Sequence, residues 1–209
     1  MKKIYFVRHG ETDFNAQHLN QDGTALLSKK GLKQADALAE RLRHLSFDRL
    51  IVSDYTRTRQ TVAPLLEHVS LVPEYTALVR ETKRPSQFVG LSNKSPEYHA
   101  YLELSNTHIH KPDWHFADEE NFYDIVARIR NFFDLINQYD GDTVVVSHGR
   151  FIIFVMMYVI LNGELTPDDW LASMHGFATT NTGITVIGFT EDYNRWIVNT
   201  YNDHAHFAE

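Results

Sequence analysis

The sequence predicts an α/β fold, in which short buried strands alternate with amphipathic helices. Residues 4–7 and 143–146 are continuous apolar runs, which are typical of buried strands. Between them, apolar residues recur at helical spacing over 32–45 and 122–136. In an open α/β sheet the ligand crevice lies at the carboxyl ends of the strands, so the polar residues that follow these runs become candidate site residues.

The other predicted elements continue this alternation. Ser28 is the expected N-cap of the first long helix, because its hydroxyl can accept a bond from a free N–H group of the first turn. The apolar run from Phe151 to Leu161 predicts a buried helix, since a membrane span needs about 20 apolar residues. Further strands are expected over 49–53, 70–76, 184–189 and 195–200, with a helix from about Asp54 to Leu66.

The composition is that of a globular protein, and it limits the chemistry of the chain. The 209 residues are 43% hydrophobic and 22% charged, which suits a single domain, 1–209, with a sizeable core. The chain has no cysteine, so disulfides, thiolate metal sites and a cysteine nucleophile are excluded, and a cytoplasmic location is expected. The net charge of −7 argues against nucleic acid as the main partner, and no apolar run is long enough to indicate a membrane partner.

Residues 83–117 break the regular alternation. The segment contains Pro85, Pro96 and Pro112 and lacks a clear apolar period. It is too short and too weakly patterned to bury a core of its own. We therefore expect a cap-like insertion over the crevice rather than a separate domain.

Two histidine–glycine steps, each directly after a predicted strand, are the strongest functional signal. Arg8, His9 and Gly10 follow the first strand, and His148 and Gly149 follow the second of the two apolar runs. One such step has an ordinary structural explanation, but two at the ends of apolar strands are much harder to attribute to chance. They indicate that two imidazoles and a guanidinium meet at the carboxyl edge of the sheet.

Two further charged residues follow predicted strands. Arg57 lies at the start of the helix after the second strand, where the helix N-terminus and the guanidinium both favour anions. Arg59 is better explained as a surface arginine, because a one-sided helix aims only one of the pair inward. Glu81 follows the third strand, and its alternative explanation is a surface carboxylate paired with Arg80 or Arg84.

In chain order, these residues resemble the pattern of the histidine phosphatase superfamily, also called the phosphoglycerate mutase-like family. The resemblance covers residues 4 to about 183. It implies a three-layer sandwich, with a mostly parallel central sheet, helices on both faces and a small cap insertion. The residues that carry it are Arg8-His9-Gly10-Glu11-Thr12, Asn15, Ser53, Arg57, Thr61, Glu81 and Ser147-His148-Gly149.

The resemblance implies phosphoryl transfer through a phosphohistidine. A neutral imidazole is a nucleophile, so His9 would attack phosphorus while nearby arginines keep it uncharged. Arg8, Arg57 and His148, with His148 as a hydrogen-bond donor, would surround the phosphoryl oxygens and stabilise their charge. Glu81 would act as the general acid for the leaving group and then as the base for water. The mechanism requires no metal and no organic cofactor.

Other residues are expected to contact the substrate. Asn15 would donate to a phosphate oxygen, and Gln21 and Arg84 are further candidate substrate-binding residues. Gly10 and Gly149 are expected to let the backbone approach the substrate, because they lack side chains. The loop after Asn15 lacks the Arg-x-Gln-Gly pattern of the family, and its Trp-Glu-Gly element is also missing, so the resemblance does not name the substrate.

Three functions are compatible with these residues. Hydrolysis of a small phosphorylated substrate is preferred. A phosphoglycerate mutase-type phosphotransferase is the alternative, which the short chain and the lack of an extended substrate loop disfavour. A non-catalytic phosphate-binding module is the third, disfavoured because no catalytic position is missing. Both a monomer and a homodimer remain open.

Overall fold

The computed structural model describes residues 1–207 as one central sheet covered by helices on both faces. Among these residues the strands are β1 (Lys3–Arg8), β2 (Arg49–Ser53), β3 (Glu74–Thr76), β4 (Thr143–Ser147), β5 (Ile184–Thr190) and β6 (Arg195–Asp203). The helices are α1 (Asp13–Ala16), α2 (Lys29–Leu42), α3 (Thr56–Leu66), α4 (Pro96–Thr107), α5 (Phe122–Asn137), α6 (Gly149–Ile160) and α7 (Pro167–Ser173), with short 3-10 turns at Ala77–Val79 and Ser86–Phe88.

The sheet has the strand order β3-β2-β4-β1-β5-β6. Strands β3, β2, β4 and β1 are parallel, and β5 and β6 are added antiparallel at the β1 edge. The register pairs Arg8 with Ser147 at the carboxyl ends of β1 and β4. The predicted mostly parallel sheet is therefore confirmed, and its register places the two histidine–glycine steps side by side.

Two apolar clusters fill the spaces between the three layers. Successive strand residues point to opposite faces. Ile4 and Phe6 accordingly join the cluster under α5 and α6, whereas Val7 joins the cluster under α2 and α3. The predicted Ser28 cap is present, with the Gly31 N–H donating to its hydroxyl at 3.0 Å. Within residues 1–207, no helix combines the length and the apolar character that a membrane crossing requires.

Two parts of the chain differ from the expected elements. The third strand is only three residues long, and Val72, inside the expected range, is 88% exposed. The irregular segment contains α4, which the sequence pattern did not predict because it buries only Tyr98 and Tyr101. These two rings pack on Phe88 and form a small aromatic cluster, separate from the two large ones. The helix is therefore stabilised by contacts with distant residues rather than by a long apolar stripe.

Candidate active site

The carboxyl ends of β1, β2 and β4 bring together residues that are distant in the sequence. His9 and His148 have ring centroids 5.1 Å apart and are 2% and 0% exposed. The His9 N–H donates to the Ser147 carbonyl at 3.0 Å, which ties the end of β1 to the end of β4. Ser53, the last residue of β2, has its hydroxyl oxygen 2.8 Å from His148 Nε2. Both predicted histidines thus lie in one buried cluster.

The orientation of His9 is determined by its own loop. Its Nδ1 lies 2.7 Å from the Gly10 carbonyl oxygen, which only accepts hydrogen bonds, so Nδ1 carries the hydrogen and Nε2 keeps its lone pair. Burial, followed by the charges of Arg57 and Arg8, holds the pKa of His9 well below its ordinary value of 6.5. The imidazole is therefore neutral at neutral pH, which is the state a nucleophile requires.

His148 is neutral for similar reasons. Burial, Arg57 and His9 hold its pKa well below 6.5. Its Nδ1 is buried and has no hydrogen-bond partner among residues 1–207. The Ser53 hydroxyl can donate to Nε2, and in that tautomer the neutral ring carries its hydrogen on Nδ1, where it is a donor without being charged.

Arg57 lies in the first turn of α3, as expected, and is 1% exposed. Its Nη1 donates to the Asp22 carbonyl at 2.6 Å, and its guanidinium carbon lies 4.9 Å from the centre of the Tyr55 ring. Burial lowers the pKa of Arg57 to about 10, so the group stays cationic at neutral pH. Arg59 is instead exposed and lies over the Tyr75 ring at 3.8 Å, as expected for a surface arginine.

Arg8 projects from the end of β1 and is held by the loop before β5. Its Nη1 donates to the Thr179 carbonyl, and burial lowers its pKa. A Cβ on Gly149 would lie 2.6 Å from Thr179 Oγ1 and 3.2 Å from Arg8 Nε. A Cβ on Gly10 would lie 2.7 Å from the Gly31 carbonyl oxygen. A side chain at Gly149 would therefore collide with Thr179 and crowd Arg8, and one at Gly10 would collide with the first turn of α2. The expected approach of a substrate to these two glycines stays a prediction.

Glu81 is held at the N-terminus of α6. Its carboxylate accepts from the N–H groups of Arg150 and Phe151, at 3.3 and 3.1 Å. A helix N-terminus favours a negative group at this point. Arg80 is paired with Asp54 at 2.5 Å, and Glu81 forms no salt bridge with any residue in 1–207. The alternative explanation, a surface carboxylate paired with a neighbouring arginine, therefore does not hold.

Asn15 and Gln21 are both anchored by Thr12. The Thr12 N–H donates to Asn15 Oδ1 at 3.2 Å, and the Thr12 hydroxyl donates to Gln21 Oε1 at 2.9 Å. Since the amide oxygens are used in this way, the NH₂ groups remain as donors. Both residues line the cavity that also contains the arginines.

An open cavity of about 600 Å³ connects these residues. His9 and His148 are buried. Their neighbours in the sequence, Arg8 and Gly149, line the cavity. Sequence reasoning missed Arg150 as a cavity residue, although it directly follows the second histidine–glycine step, and gave Ser53 no role. Among residues 1–207, no three histidine or carboxylate side chains come together as metal ligands. The cavity is lined by Arg8, Asn15, Gln21, Arg57, Glu81, Arg84, Gly149 and Arg150, among others.

Comparison with known proteins agrees with this geometry. A family model of the histidine phosphatase superfamily (branch 1) matches residues 4–204. A Schizosaccharomyces pombe protein named as a probable phosphatase is 30% identical, covering 98% of this chain and 94% of its own length. A broad-specificity phosphatase of Saccharomyces cerevisiae is 23% identical, covering 99% of this chain and 88% of its own.

A solved structure shows the same fold over the full length. The phosphoserine phosphatase of Entamoeba histolytica superposes with a TM-score of 0.80 at 20% identity, covering 100% of each chain. At this identity the superposition shows the fold alone. The family model and the S. pombe relative, each matching nearly the whole chain, carry the conclusion: the chain belongs to the histidine phosphatase superfamily, branch 1.

Proposed function

We propose that the protein hydrolyses small phosphomonoesters through a phosphohistidine formed on His9. The observation that carries this proposal is the state of His9, which is buried, neutral and hydrogen-bonded to Gly10 through Nδ1, so that Nε2 is free to attack. Arg8 and Arg57 supply positive charge beside it. Family membership supports the same reaction class.

Three buried N–H groups are suited to the phosphoryl oxygens. Arg8 Nε, Arg57 Nε and His148 Nδ1 are buried and have no partner among residues 1–207. A buried donor without a partner costs free energy, which a phosphoryl oxygen would recover by accepting from it. Phosphoryl transfer needs positioning and charge stabilisation above all, and fixed donors of this kind supply both.

The proposed reaction has two steps. In the first, His9 Nε2 forms a bond to phosphorus while the ester P–O bond breaks, and the leaving oxygen takes a proton from Glu81. In the second, water attacks the phosphohistidine and gives a proton to Glu81, which releases phosphate and restores neutral His9. Glu81 is held by the N–H groups at the start of α6 and lines the same cavity as Arg8 and Arg57.

The segment 83–117 acts in this proposal as a cap over the leaving-group side. Arg84 and Tyr98, both from this segment, line the same cavity as Arg8 and Arg57. Tyr98 also packs with Phe88 and Tyr101 in the aromatic cluster. The reacting phosphate is thereby placed at the sheet edge, with the rest of the substrate against the cap.

The central test is a His9→Ala variant assayed on a panel of phosphomonoesters. We expect phosphate release to fall below detection, because the nucleophile is gone. Phosphoenzyme labelling, measured by mass spectrometry of the intact protein, should also disappear. His44→Ala removes an exposed histidine and is the matched control, with activity like the wild type. Residual labelling in His9→Ala would place the nucleophile elsewhere, and isomerised product with little free phosphate would favour a phosphotransferase.

A further inference from the structure

Two arginines that line the cavity form no salt bridge with any residue in 1–207. Arg150 lies in the first turn of α6, and its guanidinium forms no hydrogen bond or ion pair with any residue in 1–207; it lies 5.7 Å from the centre of the Trp170 ring. Arg84 donates from Nη1 to the Tyr101 hydroxyl at 2.8 Å, but its Nη2 is buried and unpartnered among the same residues. Both arginines line the cavity.

Neighbouring cations differ in this respect. Lys83 also lines the cavity, but its ammonium is paired with Asp118 at 3.1 Å. Arg128 is paired with Glu120 at 2.8 Å. Among residues 1–207, the lack of a salt bridge at Arg150 is therefore not a general property of the cations on this surface.

The nearest carboxylate is separated from Arg84 by a phenol. The Tyr101 hydroxyl accepts from Arg84 and donates to Glu119, so the Glu119 charge is satisfied by the tyrosine. Arg84 and Arg150 also line a second, smaller cavity together, so the two side chains lie in one region of the surface. Burial, and then the like charge of Arg84, lower the pKa of Arg150 to about 10. Two such cations repel, and an anion bound by both would offset that repulsion.

The proposed role of Glu81 distinguishes Arg84 and Arg150 from Arg8 and Arg57, the arginines proposed to bind the phosphoryl group. Its carboxylate accepts from the Arg150 N–H, and its charge favours the cationic forms of Arg57, Arg8 and Arg150. As the proposed acid, it marks the position of the ester oxygen. A group held by the side chains of Arg150 and Arg84 therefore belongs to the leaving group rather than to the reacting phosphate.

We infer that Arg84 and Arg150 form a second anion subsite, so that the preferred substrates are phosphomonoesters whose leaving group carries a carboxylate or a second phosphate. This inference rests on the proposed function, because Glu81 defines which side of the cavity the leaving group occupies. Guanidinium groups bind both kinds of anion through paired N–H donors, which gives the two anions a shared chemistry.

The test compares substrates that differ only in the second anion. Glycerate 3-phosphate against glycerol 3-phosphate tests a carboxylate, and glucose 1,6-bisphosphate against glucose 6-phosphate tests a second phosphate. The wild type should favour the doubly anionic member of at least one pair by about tenfold or more in kcat/KM. Arg150→Met or Arg84→Met should lower kcat/KM for the doubly anionic substrate by about 10- to 100-fold, and kcat/KM for its matched partner by much less.

Lys94→Met is the control, since it removes an exposed cation of the segment 83–117 that does not line the cavity, and its selectivity should equal that of the wild type. Calorimetric binding of the same pairs to His9→Ala, with and without Arg150→Met, gives a readout that needs no turnover. Hydrolysis without any preference, in kinetics and in binding, would overturn the subsite and leave the proposed function standing. A preference in binding that depends on Arg150, in a protein that hydrolyses none of the panel, would support the subsite and refute the proposed function.

Discussion

The two halves of the cavity are built in different ways. On the phosphoryl side, backbone bonds fix the functional groups: the His9 N–H is bonded to the Ser147 carbonyl, and the Thr61 hydroxyl joins the Gly10 N–H, at 2.9 Å, to the Arg57 carbonyl, at 2.6 Å. On the leaving-group side, Arg84 and Arg150 extend from a cap segment and a helix start with few bonds of their own. One half is fixed by the sheet, and the other depends on side chains.

This difference corresponds to what each half must recognise. Every phosphomonoester presents the same phosphoryl group, so a site built into the strand ends serves all of them. Leaving groups differ, and side chains outside the strands can vary without disturbing the sheet. We therefore expect changes on the phosphoryl side to affect all substrates equally, and changes on the leaving-group side to depend on the substrate.

The largest uniform effect is expected for Arg57→Met. Removing a preorganised donor for transition-state charge should lower kcat/KM by about 10³-fold for every substrate. Loss of this cation also raises the pKa of His9 towards 6.5, so its protonation sets in at higher pH and the acidic limb of kcat/KM shifts upward. Rates across the substrate panel and a pH profile with an activated ester measure both effects.

The matched control for that variant is Arg59→Met, two residues along the same helix. Arg59 is exposed and contacts the Tyr75 ring, so its removal should leave the rates unchanged. The thermal midpoint of Arg57→Met should equal or exceed that of the wild type, because Arg57 is buried and forms no salt bridge with any residue in 1–207. Losses confined to one class of substrate would contradict the proposed division of the cavity.

Glu81 lies at the boundary between the two halves of the cavity. The rate loss in Glu81→Gln should depend on the leaving-group ability of the ester rather than on the charge of the substrate. The amide keeps the shape and an acceptor oxygen for the α6 N–H groups, so the fold should persist. Alkyl phosphates need a proton on the leaving oxygen and should slow by about 10²- to 10⁴-fold. Nitrophenyl phosphate, whose leaving group is stable as an anion, should slow much less, and equal losses on both esters would rule out the acid role.

About half of the site was predictable from the sequence, because its residues directly follow predicted strands. The apolar runs of β1 and β4 are evident in the sequence. The parallel register of these two strands pairs Arg8 with Ser147 and brings His9 and His148 together. The superfamily and the α/β sandwich are confirmed on the same basis. Arg57 was predictable because a helix start after a strand has a fixed place in such folds.

The rest depends on contacts that leave no local pattern. Helix α4 buries two rings against a cluster assembled from separate segments, so apolar spacing did not reveal it. A side chain at Gly149 would collide with Thr179 and crowd Arg8, both of which are distant from it in the sequence. Arg150 was adjacent to a recognised motif, but only the folded chain shows that no carboxylate in 1–207 pairs with it.

Ser53→Ala should give the smallest uniform effect, because it acts through His148. Without the hydroxyl at Nε2, the hydrogen of the neutral His148 ring is no longer held on Nδ1. Turnover should therefore fall by about three- to tenfold for every substrate, which corresponds to the roughly 1 kcal/mol that one hydrogen bond contributes. Ser147→Ala is the control, since that buried hydroxyl donates to the Val79 carbonyl at 2.8 Å and is hydrogen-bonded to neither imidazole. Both variants should lose about 1 kcal/mol of unfolding free energy, but only Ser53→Ala should change kcat and the nitrogen NMR shifts of His148. If both variants slow turnover to the same extent, the loss reflects stability and Ser53 does not set the tautomer.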